Sequence, residues 1–336
     1  MSTSQPRGSL APFLLWLCLF YAIWLALVVA GRHWDTLAGH WQIALAMAAG
    51  SYVAGSTPMG GGTVGFPVLV LLMDLPATLG RDFSFAVQSV GMTSASLYIL
   101  CTRQPIEWPM LRAALLGSLI GTPLGILFVA PLTSETFIKL LFASMWCSFG
   151  LLHLRRIREI TAYEGMTPHD AAFDHRVGFV VGLLGGATVA SITGVGIDML
   201  IYLVLVLLCH ADLKIAIPTS VLLMAFTSLV GILVKTLTGT IQPGTYDNWL
   251  AAAPIVAVGA PLGAFVVNRI GRRPTLLIVS ILCVAQFAWA LVHERDVLTI
   301  WNLAAALLGV LLFLLLFQEM YGFGRRLARR GRRTSS

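Results

Sequence analysis

Two short glycine-rich stretches hold the residues most able to do chemistry. In the first, GSTPMGGGTVGFPVLVLLM at 55–73, Gly60, Gly62 and Gly65 spell G-x-G-x-x-G, and Asp82 follows Gly62 by 20 positions. That spacing marks a dinucleotide site when a strand precedes it, a helix follows it and the acid reaches a ribose. Its physical content is more general. Glycines beside a helix N-terminus expose backbone amides, and the positive end of the helix dipole favours an anion. Gly61 completes the run, and Thr63, Ser56 and Thr57 add hydroxyl donors. The second stretch, SITGVGID at 191–198, offers Thr193, Gly194 and Gly196, followed by Asp198. Asp198 has two readings: an N-cap for the helix that follows, or a carboxylate that carries a proton coupled to the anion. Gln88, Ser89 and Thr93 follow the first stretch, and Thr219 and Ser220 the second. They can donate to oxyanion oxygens, or the hydroxyls can bond back to their own helix.

The surroundings decide which chemistry applies. Of 336 residues, 57% are hydrophobic and 11% charged, against about 25% charged in soluble domains. With a mean hydropathy of +0.85, the chain is an all-α integral membrane protein. No strand flanks the glycines, so the nicotinamide reading fails. The net charge of +7 does not form a nucleic-acid face, because six of the 22 basic residues crowd the last twelve positions and most others sit at the ends of apolar segments. The five cysteines show no C-x-x-C and read as buried thiols. The seven histidines lack ligand spacing, so neither a metal site nor a cofactor is expected, and His153 and His210 read as lying at segment ends.

Apolar runs at 10–30, 83–101, 110–130, 135–154, 215–236, 248–268, 274–293 and 299–318 can each cross a hydrocarbon core of about 30 Å. The first reads as a span rather than a cleaved signal. Lys139 and Lys235 read as snorkelling at span ends. Residues 41–75 and 177–209 are apolar but broken at the two glycine stretches. Unbroken, each would be about 50 Å long, too long for one span. They form either hairpins of two half-helices or single tilted spans. Basic residues discriminate. With the Arg-rich C-terminus in the cytoplasm, hairpins put 17 basic residues inside and five outside, and single spans put 13 against nine. The positive-inside rule favours hairpins, with both termini cytoplasmic.

The broken regions belong to two halves. Ala46, Gly50 and Ala54 recur 132 positions later as Gly178, Gly182 and Gly186. Ser89 and Ser220 are 131 apart, and GTPLG at 121–125 returns as GAPLG at 259–263. Each half is a hairpin plus three spans, an odd number of crossings, so the second copy runs inverted. Inverted repeats with broken helices mark secondary transporters. Gly117, Gly121 and Gly125 read as helix-packing positions. The expected units are 1–40 as a first span and loop, 41–154 as repeat 1, 155–176 as a cytoplasmic linker, 177–293 as repeat 2, and 294–336 as a last span and basic tail. Pro67 sits where the first half-helix would begin, from about Phe66 to Met73.

On these residues the chain resembles the TauE/SafE sulfite-exporter-like permeases. MGGGTVGFPVL matches the first-repeat loop of that family, AIPTS at 216–220 matches its A-x-x-T-S segment, and FAVQS at 85–89 does so more loosely. TGVGIDML keeps the G-V-G start but lacks the further glycines and the proline. The resemblance covers roughly 41–292. It implies a bacterial inner-membrane permease for small sulfur-containing anions such as sulfite or organosulfonates. The site residues it implies are Gly60, Gly61, Gly62, Pro67, Gly194, Gly196, Thr219 and Ser220. The partners are then a small anionic solute and the lipid bilayer, with no nucleic acid, and a homo-oligomer is left open. Two rivals stand beside a transporter. A serine-protease-like intramembrane enzyme would need a nucleophile and base in one cavity, and G-x-S-x-G is absent. A non-transporting scaffold would have no use for a repeated glycine break at membrane depth.

Overall fold

A computed structural model describes residues 9–167, 169–270, 272–295 and 298–334. The described residues form helices and no strand. Twelve helices carry the architecture: α1 Ala11–Gly31, α2 Trp41–Ser56, α3 Gly62–Leu72, α4 Ala77–Cys101, α5 Trp108–Leu132, α6 Glu135–Ile160, α7 Ala171–Thr193, α8 Ile197–Leu208, α9 Leu213–Leu237, α10 Thr245–Ile270, α11 Arg272–His293 and α12 Ile300–Thr334. Among the described residues nine helices are long and apolar enough to cross a membrane, while α3 and α8 are short apolar pieces. The protein is a multi-pass membrane protein.

Local chemistry sets the boundaries. Ser134 Oγ accepts from Phe137 N at 3.2 Å and starts α6; Asp170 Oδ1 accepts from Phe173 N at 2.8 Å and starts α7; Asp212 Oδ1 accepts from Lys214 N at 2.8 Å and starts α9. Three expectations change as a result. Both ends of the expected linker are helical, 155–160 closing α6 and 171–176 opening α7. The span expected from 83 begins at Ala77, so Arg81 and Asp82 lie within α4 rather than in a loop. α3 begins at Gly62, and Pro67 lies one turn inside it. Proline's missing N–H interrupts the α-type bonding there, and the next turn, Val68–Leu72, is π-helical, with Met73 N bonded to Val68 O at 3.0 Å.

The same local geometry occurs twice. A π-turn of sequence VLVLL ends both short helices, at Val68–Leu72 and Val204–Leu208. Asp74 and His210 follow at positive φ, 52° and 49°. Leu75 N bonds Leu69 O, and Ala211 N bonds Leu205 O, both at 2.9 Å. α4 and α9 are each 25 residues long and start 136 positions apart. This offset replaces the 131–132 read from small residues alone, and it pairs Ser220 with Ser84 rather than Ser89.

Packing crosses between the halves. α2 lies against α10, and α7 against α5. Glycines allow the approach: a Cβ on Gly55 would sit 1.7 Å from Ala260 O, and Cβ atoms on Gly182 and Gly121 would sit 2.0 Å from Ala114 O and 2.1 Å from Leu183 O. α4 and α8 are largely buried, whereas α1 and α12 expose most of their apolar surface. α1 is nevertheless tied in. Pro254 cannot donate to Leu250 O, and Trp24 Nε1 donates to that carbonyl instead, at 2.9 Å. Tyr21 Oη donates to Pro254 O at 2.5 Å, and Trp16 Nε1 to Ser94 Oγ at 2.7 Å.

Helix ends fall into two groups. Asp74 pairs with His293, Glu135 accepts from Ala77 N and Thr78 Oγ1, Lys139 pairs with Glu294, and Asp82 accepts from Gln242 N. In the other group, Thr167 N donates to Cys209 O, Asp212 N to Gly165 O, Glu107 N to Thr219 Oγ1 and Tyr321 Oη to Glu159 Oε1.

Candidate functional site

The two glycine breaks meet inside the protein. In the first, the amides of Gly60, Gly61 and Gly62 donate to no other backbone group among the described residues, and all three glycines are buried. These amides open α3, whose dipole points its positive end toward them. A Cβ on Gly62 would lie 2.4 Å from Val195 and 2.6 Å from Ser84 Oγ, so glycine is required for the second break to approach. Thr63 Oγ1 accepts from Trp146 Nε1 at 3.0 Å. Trp146 stacks on Phe142, which stacks on Phe66.

The second break turns through two left-handed glycines, Gly194 at φ 78° and Gly196 at φ 97°. Thr193 Oγ1 donates within this loop, toward Val189 O at 2.8 Å and Val195 O at 3.0 Å. Asp198 is fully buried in the first turn of α8, and Gly196 rather than Asp198 is the N-cap residue. The carboxylate still serves the terminus: Oδ1 accepts from Gly196 N at 3.2 Å and Met199 N at 3.0 Å. α8 thus has an acceptor of its own for its terminal amides, while α3 does not.

Gln88 joins the breaks. Its Nε2 donates to Ser84 O at 2.9 Å and to Gly194 O at 3.0 Å. A Cβ on Gly60 would fall 1.6 Å from Gln88 Oε1 and 3.2 Å from Asp198 Oδ2. Neither of those oxygens has a hydrogen-bond partner in the protein. Gln88 therefore turns an acceptor, not a donor, toward Gly60. A small cavity beside Gly61 and Gln88 is walled by Met47, Ser51, Met92 and Val256.

Of the residues singled out in the sequence, Gly60, Gly61, Gly62, Thr63, Gln88, Thr193, Gly194, Gly196 and Asp198 come together. Four do not. Pro67 is a turn away. Ser89 Oγ donates to Ala86 O, Ser220 Oγ to Ile217 O, and Thr219 Oγ1 to Ile215 O while accepting from Glu107 N. Ser56 and Thr57 also bond back, to Tyr52 O and Val53 O. Their bonds are local, as hydroxyls on helices prefer.

Sequence reading missed Ser84 and Trp146, and it missed a charged cluster. Lys235 is buried rather than snorkelling. Its Nζ lies 3.0 Å from Asp82 Oδ1, which also takes Arg81 Nε at 3.0 Å, while Asp82 Oδ2 accepts from Gln242 N at 2.9 Å. Arg81 O packs against Gly194. His153 likewise lies inside α6 rather than at its end: Nδ1 donates to Phe149 O and Nε2 meets Tyr202 Oη, both at 2.9 Å. No group of three or more metal-ligating side chains occurs among the described residues.

Compared with known families, residues 42–289 match the one described as Sulfite exporter TauE/SafE. The chain belongs to the TauE/SafE family. The match covers α2 to most of α11 and both glycine breaks, leaving out α1 and α12. No curated protein and no solved structure matches. Membership makes the chain a membrane permease by family.

Proposed function

We propose that this TauE/SafE protein is a secondary permease for a small sulfur-containing oxyanion or organosulfonate, held near the membrane midplane at the meeting point of the two glycine breaks. One observation carries the reading: the Gly60–Gly62 amides open a buried half-helix and make no backbone bond, so their dipole end suits an anion. Thr63 supplies a hydroxyl at the same place. Asp198 is the coupling residue. Ionised, its carboxylate competes for the same electropositive ground; protonated, it leaves the negative charge to the solute.

Two inverted repeats, 41–154 and 177–293, carry the site, with 155–176 as a cytoplasmic linker and 1–40 and 294–336 as additions. The duplicated VLVLL turn supports the repeat, and the two groups of paired helix ends support the inversion. Asp74 after α3 pairs with the end of α11, whereas Leu207 in α8 packs against Gly324 near the end of α12. Successive helices starting from a cytoplasmic N-terminus reach these ends only if each break folds back. The C-terminus is then cytoplasmic too, in a bacterial inner membrane. The reaction is translocation, with no bond made or broken in the solute.

The test is a thermal-shift screen of purified protein against sulfite, thiosulfate, sulfonates, carboxylates and phosphate, followed by flux in proteoliposomes. Sulfur oxyanions should stabilise and be transported. Stabilisation by cations alone, or no flux of any anion, would overturn the reading.

A further inference from the structure

Two buried acceptor oxygens lie beside Gly60, and neither has a hydrogen-bond partner in the protein. Asp198 Oδ2 has no hydrogen-bond partner, and neither has Gln88 Oε1. The orientation of the Gln88 amide is not arbitrary. Turned over, its oxygen would confront the carbonyls of Ser84 and Gly194, which now accept from Nε2. The distances of 1.6 and 3.2 Å from one point at Gly60 place the two oxygens within about 5 Å of each other.

No cationic side chain acts on Asp198. The groups bearing on it are the amides of Met199, Gly60, Asp198 itself and Gly196, with Gly60 outside hydrogen-bond geometry. Ionisable groups on the surrounding elements are engaged elsewhere or sit at helix ends. Tyr202 on α8 holds His153 of α6; Arg81 and Lys235, from α4 and α9, hold Asp82; Lys214 opens α9, and Asp174, His175 and Arg176 lie near the start of α7. An ionised Asp198 would be a buried, unpaired charge, and two orphaned acceptors would each lose their hydration. A metal ion needs more oxygens than this pair supplies.

We infer that Asp198 holds a proton in this closed conformation and donates it through Oδ2 to Gln88 Oε1. One O–H bond forms at the carboxylate with a proton delivered from bulk water as the breaks close, and as they part it breaks and the proton returns to bulk water. A single hydrogen bond serves both oxygens and removes the buried charge. Gln88 comes from α4 and Asp198 from α8, so the proton joins the two halves, and closing and proton uptake become one event. Gln88 is then a positioning residue for the proton rather than a donor to the anion. The direction of coupling rests on the permease reading; the hydrogen bond does not.

Infrared difference spectroscopy on the full chain in lipid tests the bond. At neutral pH the wild type should show a protonated-carboxyl C=O band that vanishes in Asp198→Asn and moves to higher frequency in Gln88→Leu. In proteoliposomes, uptake of isethionate, a sulfonate ionised across the neutral range, should acidify the lumen when wild type is used and not with Asp198→Asn. Gln88→Leu should shift the pH profile of uptake toward acid by about one unit, a tenfold change in proton concentration. Absence of the Asp198 band in wild type would overturn the proposal even if anion flux persists. So would loss of anion affinity at every pH in Gln88→Leu with the band unmoved. The band present without any anion flux would uphold the proton site and overturn the permease reading. Should Gln88→Leu fail to fold, the wild-type and Asp198→Asn spectra still decide.

Discussion

Gly60 admits no side chain, because a Cβ there would overlap Gln88 Oε1. Gly60→Ala must push Gln88 off Ser84 O and Gly194 O, an overpacking that costs about 1–3 kcal/mol. The expected outcome is a lower unfolding temperature in detergent and near-complete loss of transport. Glu107, just ahead of α5 and outside the spans, makes a different prediction. Burial raises its pKa above the ordinary 4.5, the Asp174 carboxylate raises it further, and the Met110 amide offsets part of this. For an acid whose pKa rises on folding, the favourable contribution is complete below 4.5 and is lost as pH climbs through the raised value. Glu107→Gln should therefore leave thermal stability unchanged at about pH 4 and raise the unfolding temperature by about a degree at about pH 8, a small effect because the group is only half-buried. Scanning calorimetry at the two pH values checks the sign.

The buried cluster belongs to the scale of helices, since Arg81 and Asp82 open α4 and Lys235 closes α9. One carboxylate serves two cations there and also holds Gln242 N. Asp82→Asn leaves both cations buried without a counter-charge, and removing one partner of such a set costs about 3–5 kcal/mol. Lys235→Met keeps the Arg81–Asp82 pair and leaves the cluster neutral, so it should cost less than half as much by denaturant unfolding. This cluster was illegible in the sequence because Lys235 lies more than a hundred residues beyond Arg81 and Asp82 and read as a span-end charge. The breaks themselves were legible, because glycine runs interrupt apolar stretches too long for one span. The start of α3 was misread because Pro67 suited a first helical turn, whereas the helix begins five residues earlier, at Gly62. Matching by small residues gave an offset of 131–132 positions, whereas the identical VLVLL turns, plain in the sequence, recur 136 positions apart.

At the scale of the molecule, the inversion proposed above would place Thr102 and Thr238 on opposite faces, although both are exposed, follow 25-residue helices and bond back in the same way. With the native cysteines replaced, single cysteines at these positions should react with an impermeant maleimide from opposite sides of sealed vesicles. Labelling from the same side would refute the inversion. The whole-chain class was legible from composition, and the family from two loops. Which helices face each other was not, because that depends on backbone approach at glycines such as Gly55, Gly121 and Gly182. The α1 contacts carry a consequence for biogenesis. Trp24 and Tyr21 enter the bilayer with α1, yet the carbonyls they serve, on Leu250 and Pro254, arrive more than two hundred residues later. These two bonds of α1 therefore form only after α10 has been made. A nascent chain stopped before residue 245 would hold α1 only loosely, which makes α1 a readout of completed synthesis.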